Sequence, residues 1–140
     1  MEKYFNSVSK ISAIIGGLTI YLLGGWDTLI QVLIILMVLD YVTGILKGLY
    51  IQKLSSKTGR QGIIKKLLIL ILVAVSVMCE KIGIPAMREM TIMFFAVNES
   101  ISILENSAEM GIPIPQKLKS SLLQIREVKE EKNENNWKRI

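Results

Sequence analysis

The stretch from Trp26 to Lys66, WDTLIQVLIILMVLDYVTGILKGLYIQKLSSKTGRQGIIKK, decides the fold of this chain. Its apolar run begins at Thr28 and continues to Tyr50, interrupted by a single acid, Asp40, which makes it long enough to cross a bilayer as a helix. The following segment, from Lys47 to Lys66, contains basic residues and no acid. Such a segment stays on the cytoplasmic side of a membrane, so it predicts the orientation of the whole chain.

The basic residues of this predicted cytoplasmic loop are Lys47, Lys53, Lys57, Arg60, Lys65 and Lys66. A phosphate-binding P-loop is not indicated at Gly59 to Gly62, because the spacing differs and no strand precedes it.

Composition favours a membrane protein with one domain. The chain has 140 residues, of which 51% are hydrophobic, and they occur in long blocks. The net charge of +5 does not indicate nucleic acid as a partner, because the cations flank apolar blocks or lie in a mixed tail. With no histidine and one cysteine, neither a disulfide framework nor a cysteine-based zinc site is expected within one chain, and no cofactor is predicted. Cys79 is interpreted as a small core residue rather than a nucleophile.

We therefore predict an all-α integral membrane protein with about four hydrophobic helices and a charged C-terminal tail. The helices are expected at about 4–23, 28–50, 63–82 and 86–110. They form a membrane domain over 1–112, followed by a cytoplasmic tail over 113–140. Gly24 and Gly25 end the first helix, and Asp27 can cap the second.

Orientation follows from the basic residues, since lysine and arginine determine which loops remain inside. Both termini are predicted to be cytoplasmic, in a multi-pass arrangement in a bacterial cytoplasmic membrane. The fourth helix is apolar at first and then amphipathic, so spanning the bilayer and lying in the interface plane both stay open.

Polar and small residues inside the predicted spans are the candidate functional positions. An ionisable side chain at such depth faces protein or water rather than lipid. The candidates for pore lining or helix contact are Asp40, Gly44, Gly48, Asn98, Glu99, Ser102 and Glu105. Asp40 and Glu99 could instead pair with basic residues inside one subunit. In the first helix, Ser12, Gly16 and Gly17 could permit close helix contact, or could simply reflect the glycine content of membrane helices.

Four stretches resemble the phage lysis and toxin-secretion holins of Gram-positive bacteria and their phages. These stretches are Asp40-Tyr41-Val42-Thr43-Gly44, Leu54 to Lys66, Asn98 to Asn106, and Gly111-Ile112-Pro113-Ile114-Pro115, in that order along nearly the whole chain. The resemblance implies a small protein that oligomerises in the cytoplasmic membrane. There it opens lesions that release an endolysin or a toxin, without necessary direct contact with either. It implies no catalytic residue, and the protein is not expected to be an enzyme.

Three other functions stay open at this point. A small ion or solute transporter would suit an intramembrane acid and a polar stripe, although no inverted repeat is visible. An integral membrane enzyme would have little acid–base or metal chemistry to use, because histidine and an Asp-x-x-Asp cluster are both missing from the sequence. A membrane scaffold is the third alternative.

Overall fold

A computed structural model describes residues 1–53, 55–121 and 123–124, without the side chains of Glu2 and Lys3. Its four long helices are α1 (Glu2–Leu22), α2 (Thr28–Tyr50), α3 (Ser56–Lys81) and α4 (Met87–Glu109). Within the described ranges there is no strand, which confirms the all-α prediction. Most of the charged tail predicted from residue 113 onward, including residues 125–140, lies outside the described residues.

The residues predicted to end α1 and to begin α2 do so in the structure. Gly24 and Gly25 have φ values of +76° and +116°, which residues with a Cβ rarely adopt. Asp27 then caps α2, because its carboxylate accepts a hydrogen bond from the backbone N–H of Ile30 at 3.1 Å.

Helix α3 begins earlier than predicted, at Ser56 instead of about residue 63. The Ser55 hydroxyl accepts a hydrogen bond from the backbone N–H of Lys57 at 3.2 Å and caps the helix there. Gly59 and Gly62, which precede the predicted start of this helix, lie inside it. The prediction of a long basic loop is therefore wrong, because most of the segment from Lys47 to Lys66 is helical. Five of its six basic residues are helical, namely Lys47 in α2 and Lys57, Arg60, Lys65 and Lys66 in α3.

Helices α2, α3 and α4 form a bundle in which α4 packs along α2 and against α3, whereas α2 and α3 touch at few positions. Apolar side chains from all three helices, together with Leu23 from the turn after α1, fill the core. The buried core residues are Leu23, Ile30, Leu33, Met37, Ile69, Val73 and Ile92.

Helices α2 and α4 run parallel over a similar length. At their N-terminal ends Arg88 pairs with Asp27, and at their C-terminal ends Lys47 pairs with Glu109 at 3.3 Å. Each helix has 23 residues, which is about 35 Å. Helix α4 thus extends over the same depth as α2. Of the four helices, α1, α2 and α3 are long and apolar enough to cross a membrane, whereas α4 is more polar.

Helix α1 stands apart from the bundle. Among its described side chains nearly all are exposed, including large apolar ones such as Phe5, Ile14 and Leu18. It is attached at its C-terminal end, where Leu23 enters the core and the Lys81 ammonium lies 3.9 Å from the centroid of the Tyr21 ring. The rest of α1 presents an apolar surface that residues 1–53, 55–121 and 123–124 do not cover.

Candidate functional site

The structure brings two of the sequence-predicted polar residues, Asp40 and Glu99, together at one point inside the bundle. They meet Lys66, which had been assigned to the basic loop but whose side chain points inward from α3. We define the central polar cluster as Asp40 and Thr43 of α2, Lys66 of α3, and Glu99 and Asn106 of α4.

Lys66 joins all three helices. Its Nζ donates to Asp40 Oδ2 at 2.7 Å and also to Glu99 Oε2. The Asn106 amide completes the cluster by donating to Asp40 Oδ1 at 3.2 Å and to Thr43 Oγ1 at 3.3 Å. Thr43 in turn donates to the Asp40 carbonyl oxygen at 3.0 Å. Both carboxylate oxygens of Asp40 therefore have a donor.

The cluster lies deep in the bundle. Asp40 is near the middle of α2 and Glu99 near the middle of α4. The side chains of Glu99, Lys66 and Asp40 are only 9%, 16% and 17% exposed. Charged groups at such a depth are tolerated when they are paired and hydrogen-bonded. Asp40 and Glu99 had been considered either for pore lining and helix contact or for pairing with basic residues inside one subunit. In this structure both carboxylates pair with Lys66 of the same subunit.

The charges in the cluster do not balance by formal count, because two carboxylates share one ammonium. Removing one partner from a buried pair leaves an uncompensated charge, which is far more costly than the pair is stabilising. Lys66 is therefore the residue on which the association of α2 and α4 in this region most depends.

Other sequence candidates lie beside the cluster or outside it. Ser102 and Asn98 are half-buried and line a cavity next to Lys66 and Glu99. A Cβ on Gly44 would come 3.8 Å from the Asn106 amide nitrogen, so this glycine lies against the cluster. Glu105 faces outward and is exposed.

Asn106 lies outside the polar stripe that the sequence predicts for α4. That stripe consists of Asn98, Ser102, Glu105 and Glu109, with Glu99 at its border, whereas the buried polar residues in this half of α4 are Glu99 and Asn106. Residues seven apart lie on nearly the same face of a helix, so the spacing of Glu99 and Asn106 is the signal that could have found this face.

A second ionic contact at the opposite end of the bundle was also missed. The Arg88 guanidinium donates to both carboxylate oxygens of Asp27, at 2.7 and 3.1 Å, and its Nε donates to the Leu23 carbonyl at 2.7 Å. The backbone N–H of Arg88 donates to Glu80 Oε1 at 3.0 Å. This single buried arginine ties the start of α4 to the α1–α2 turn and to α3.

The same contact changes the acidity of Asp27. The hydrogen bond from Arg88, followed by that from the backbone N–H of Ile30, lowers the pKa of the Asp27 carboxyl from 3.8 to about 2. Close packing also requires glycine beside it. A Cβ on Gly24 would lie 2.7 Å from Arg88 Nε, which is already held by its bond to Leu23.

An all-helical chain with three helices apolar enough to span a membrane, and with its deep charges paired between helices, defines an all-α membrane protein. Residues 17–127 match the model of the bacteriophage holin family. The chain belongs to this family, as its resemblance had suggested.

Relatives from Clostridium, Listeria and Bacillus species cover most of the chain. An uncharacterized 14.9 kDa protein in the nagH 3′ region of Clostridium perfringens is 39% identical over 128 residues, covering 89% of this chain and 97% of that protein. An uncharacterized protein of Listeria monocytogenes is 44% identical over 105 residues, covering 74% and 75%. The uncharacterized protein YqxH of Bacillus subtilis is 31% identical over 120 residues, covering 83% and 84%. No solved structure matches the chain.

Proposed function

We propose that this protein is a holin that self-associates in the bacterial cytoplasmic membrane and opens lesions through which an endolysin or a toxin leaves the cell. Membership of the holin family supports the lytic role. The structural observation that carries the proposal is α1, an apolar helix that the described part of the chain leaves uncovered along almost its whole length.

Helix α1 suits association because it combines apolar and small residues. Ser12, Gly16 and Gly17 allow another backbone to approach closely, which is how helices associate in lipid. Among the residues that the structure describes, no atom lies within 4 Å of a Cβ placed on Gly16 or Gly17. That space is open to lipid or to a second copy.

The central polar cluster has a supporting role in this proposal. Its charges are paired within one subunit, so it holds α4 against α2 and α3 before association. The self-associating surface is then α1 together with the exposed flanks of the bundle, and the cluster makes each subunit a stable unit.

The proposed orientation places both termini and the α2–α3 turn in the cytoplasm. Lys53, Lys57 and Arg60 near this turn favour that side. At the opposite ends of the helices the cations are compensated, since Arg88 pairs with Asp27 and Lys81 lies over Tyr21. Because α4 runs parallel to α2 over the same depth, we propose that it crosses the membrane as a fourth span rather than lying in the interface.

The proposed activity is mechanical rather than catalytic. The protein would act as a homo-oligomer in the lipid bilayer, without a cofactor, and the endolysin or toxin need not bind it directly. A small ion or solute channel without a lytic role is the second candidate. The cavity that reaches Asp40 from the α2–α3 turn favours it, because an intramembrane acid next to a cavity suits a cation path.

Induced expression in a bacterial host, together with a cytosolic endolysin, tests the proposal. Membrane potential, optical density and release of a cytosolic reporter protein are followed in time. A holin produces a delay, then abrupt loss of potential and release of the reporter. A channel dissipates the potential gradually and retains the reporter. Retention of the reporter at membrane levels that abolish the potential would reject the holin proposal.

A further inference from the structure

A cavity of about 420 Å³ lies between the C-terminal half of α2 and the N-terminal half of α3. Its inner end reaches Asp40 and Asn106 of the central polar cluster, and its outer end lies at the α2–α3 turn. This volume is in the range of small-molecule sites. Glycines leave the space open along both helices, namely Gly44, Gly48, Gly59 and Gly62.

The charges that line this cavity are mainly positive. Lys47 and Lys66 line it, but each is paired with acids of the bundle. Lys53 and Lys65 also line it, and in the described part of the chain neither has an acidic partner. Two ammonium groups are therefore available to an anion that enters the cavity.

The start of α3 adds to this positive potential. Ser55 and Thr58 line the cavity with hydroxyl groups at the first turn of the helix. The N-terminal end of a helix carries a partial positive charge and favours phosphate and other anions. Neither Gly59 nor Gly62 belongs to a P-loop, so an anion here would be held by lysines, hydroxyls and the helix dipole.

The remaining wall is apolar. Tyr41, Ile45 and Ile51 line the same cavity. A ligand that combines a phosphate with a hydrocarbon chain complements both walls, whereas free phosphate uses only the polar one.

We propose that this cavity is a binding site for a phosphate group, supplied by the headgroup of an anionic phospholipid whose chain lies along the Tyr41, Ile45 and Ile51 wall. Lys53 and Lys65 bind the phosphate. The site does not require lesion formation, so it stands or fails independently of the proposed holin activity.

Native mass spectrometry of the purified full-length protein in neutral detergent tests the site, with phosphatidylglycerol as the probe. In detergent no charged bilayer surface contributes to binding, so retained lipid reports a specific site. The double variant Lys53→Gln with Lys65→Gln removes both unpaired cavity cations. The matched control, Lys57→Gln with Arg60→Gln, removes the same charge from neighbouring residues that do not line the cavity. All four residues are exposed, so neither variant disturbs the core.

We expect the wild type and the control to retain phosphatidylglycerol and the cavity variant to bind it roughly thirty-fold more weakly, from about fivefold per lysine. Equal weakening in both double variants, or no retention by the wild type, overturns the proposal. Inorganic phosphate is added alone and in competition. If it binds alone and displaces the lipid, the phosphate site stands but its source is soluble, and the lipid assignment is rejected.

Discussion

The Lys66 ammonium donates to Asp40 Oδ2 at 2.7 Å across 26 positions of sequence, and the same nitrogen holds Glu99 of a third helix. One cation therefore serves two carboxylates in the interior of a bundle that is proposed to lie in lipid. The following predictions test what this contact and its counterpart at Arg88 do.

Replacing Lys66 with methionine should destabilise the bundle by about 3–5 kcal/mol, because it leaves two carboxylates buried without their cation. Thermal unfolding of the purified protein in detergent measures the change. Lys57→Met is the matched control, since Lys57 is exposed, does not line the cavity and should be nearly neutral. Adding Glu99→Gln to Lys66→Met should recover part of the loss, because it removes one of the unpaired charges. Equal unfolding temperatures for Lys66→Met and Lys57→Met would contradict the role of the cluster.

Asp40→Asn and Asp40→Leu separate hydrogen bonding from charge. Asparagine keeps an acceptor for Lys66 or Asn106, so this variant should accumulate in the membrane and retain most lysis, with altered timing. Leucine removes every acceptor and leaves Lys66 with one partner, so lysis should be lost. Lysis timing is compared at equal membrane levels. Wild-type timing for Asp40→Leu would mean that Asp40 is merely tolerated.

The contact between Asp27 and Arg88 predicts an acid-dependent loss of stability. The folded-state pKa of Asp27, about 2, lies below its ordinary value of 3.8. The contribution of ionised Asp27 to the free energy of unfolding is therefore present above about pH 4 and is lost as the pH falls toward 2. Asp27 is 48% exposed, so the contribution is about 1 kcal/mol or less. The unfolding temperature should fall more steeply between pH 4 and 2 in the wild type than in Asp27→Asn. Parallel curves would remove this contact from the pH response.

Gly16→Leu should reduce self-association without reducing the stability of the subunit, because no atom of the described residues lies within 4 Å of a Cβ placed there. We expect the association constant of the oligomer, followed by crosslinking, to fall by about tenfold, or about 1.4 kcal/mol, and lysis to be delayed. Ile14→Leu, an exposed position on the opposite side of α1, is the control. If both variants give wild-type oligomer ladders and timing, the Gly16 face is not the contact.

Single cysteines test the proposed topology in a Cys79→Ser background. Ser56→Cys, Ala108→Cys and Asn136→Cys should resist a membrane-impermeant thiol reagent in intact cells before lysis, whereas Ile84→Cys should react. Ala108 is included because it lies near the end of α4, which runs parallel to α2. Labelling of Ser56→Cys would overturn the orientation. Labelling of both Ala108→Cys and Asn136→Cys, with Ser56→Cys still protected, would mean that α4 does not span.

Much of the helical framework could be predicted from the sequence, because it depends on local properties. The lengths of the apolar runs indicated membrane helices, and Gly24, Gly25 and Asp27 marked the first turn. The start of α3 could not be predicted in the same way. There the Ser55 cap favours a helix, whereas Gly59 and Gly62 weaken it. In the structure the segment is helical, and both glycines lie against the Tyr41 side chain of α2.

The amino-acid sequence by itself determined the class of protein, the family and that Asp40, Glu99 and Asn98 lie within helices. Only the tertiary structure decided which polar residues of different helices meet. The apolar runs around Asp40 in α2 and after Lys66 in α3 cover most sides of each helix, so the sequence does not indicate which faces pack against each other. The rotation of each helix is set by packing against the others. That rotation turned Lys66 from an expected loop cation into the centre of the cluster, and it placed Asn106 and Arg88 opposite acids that are more than 60 positions away.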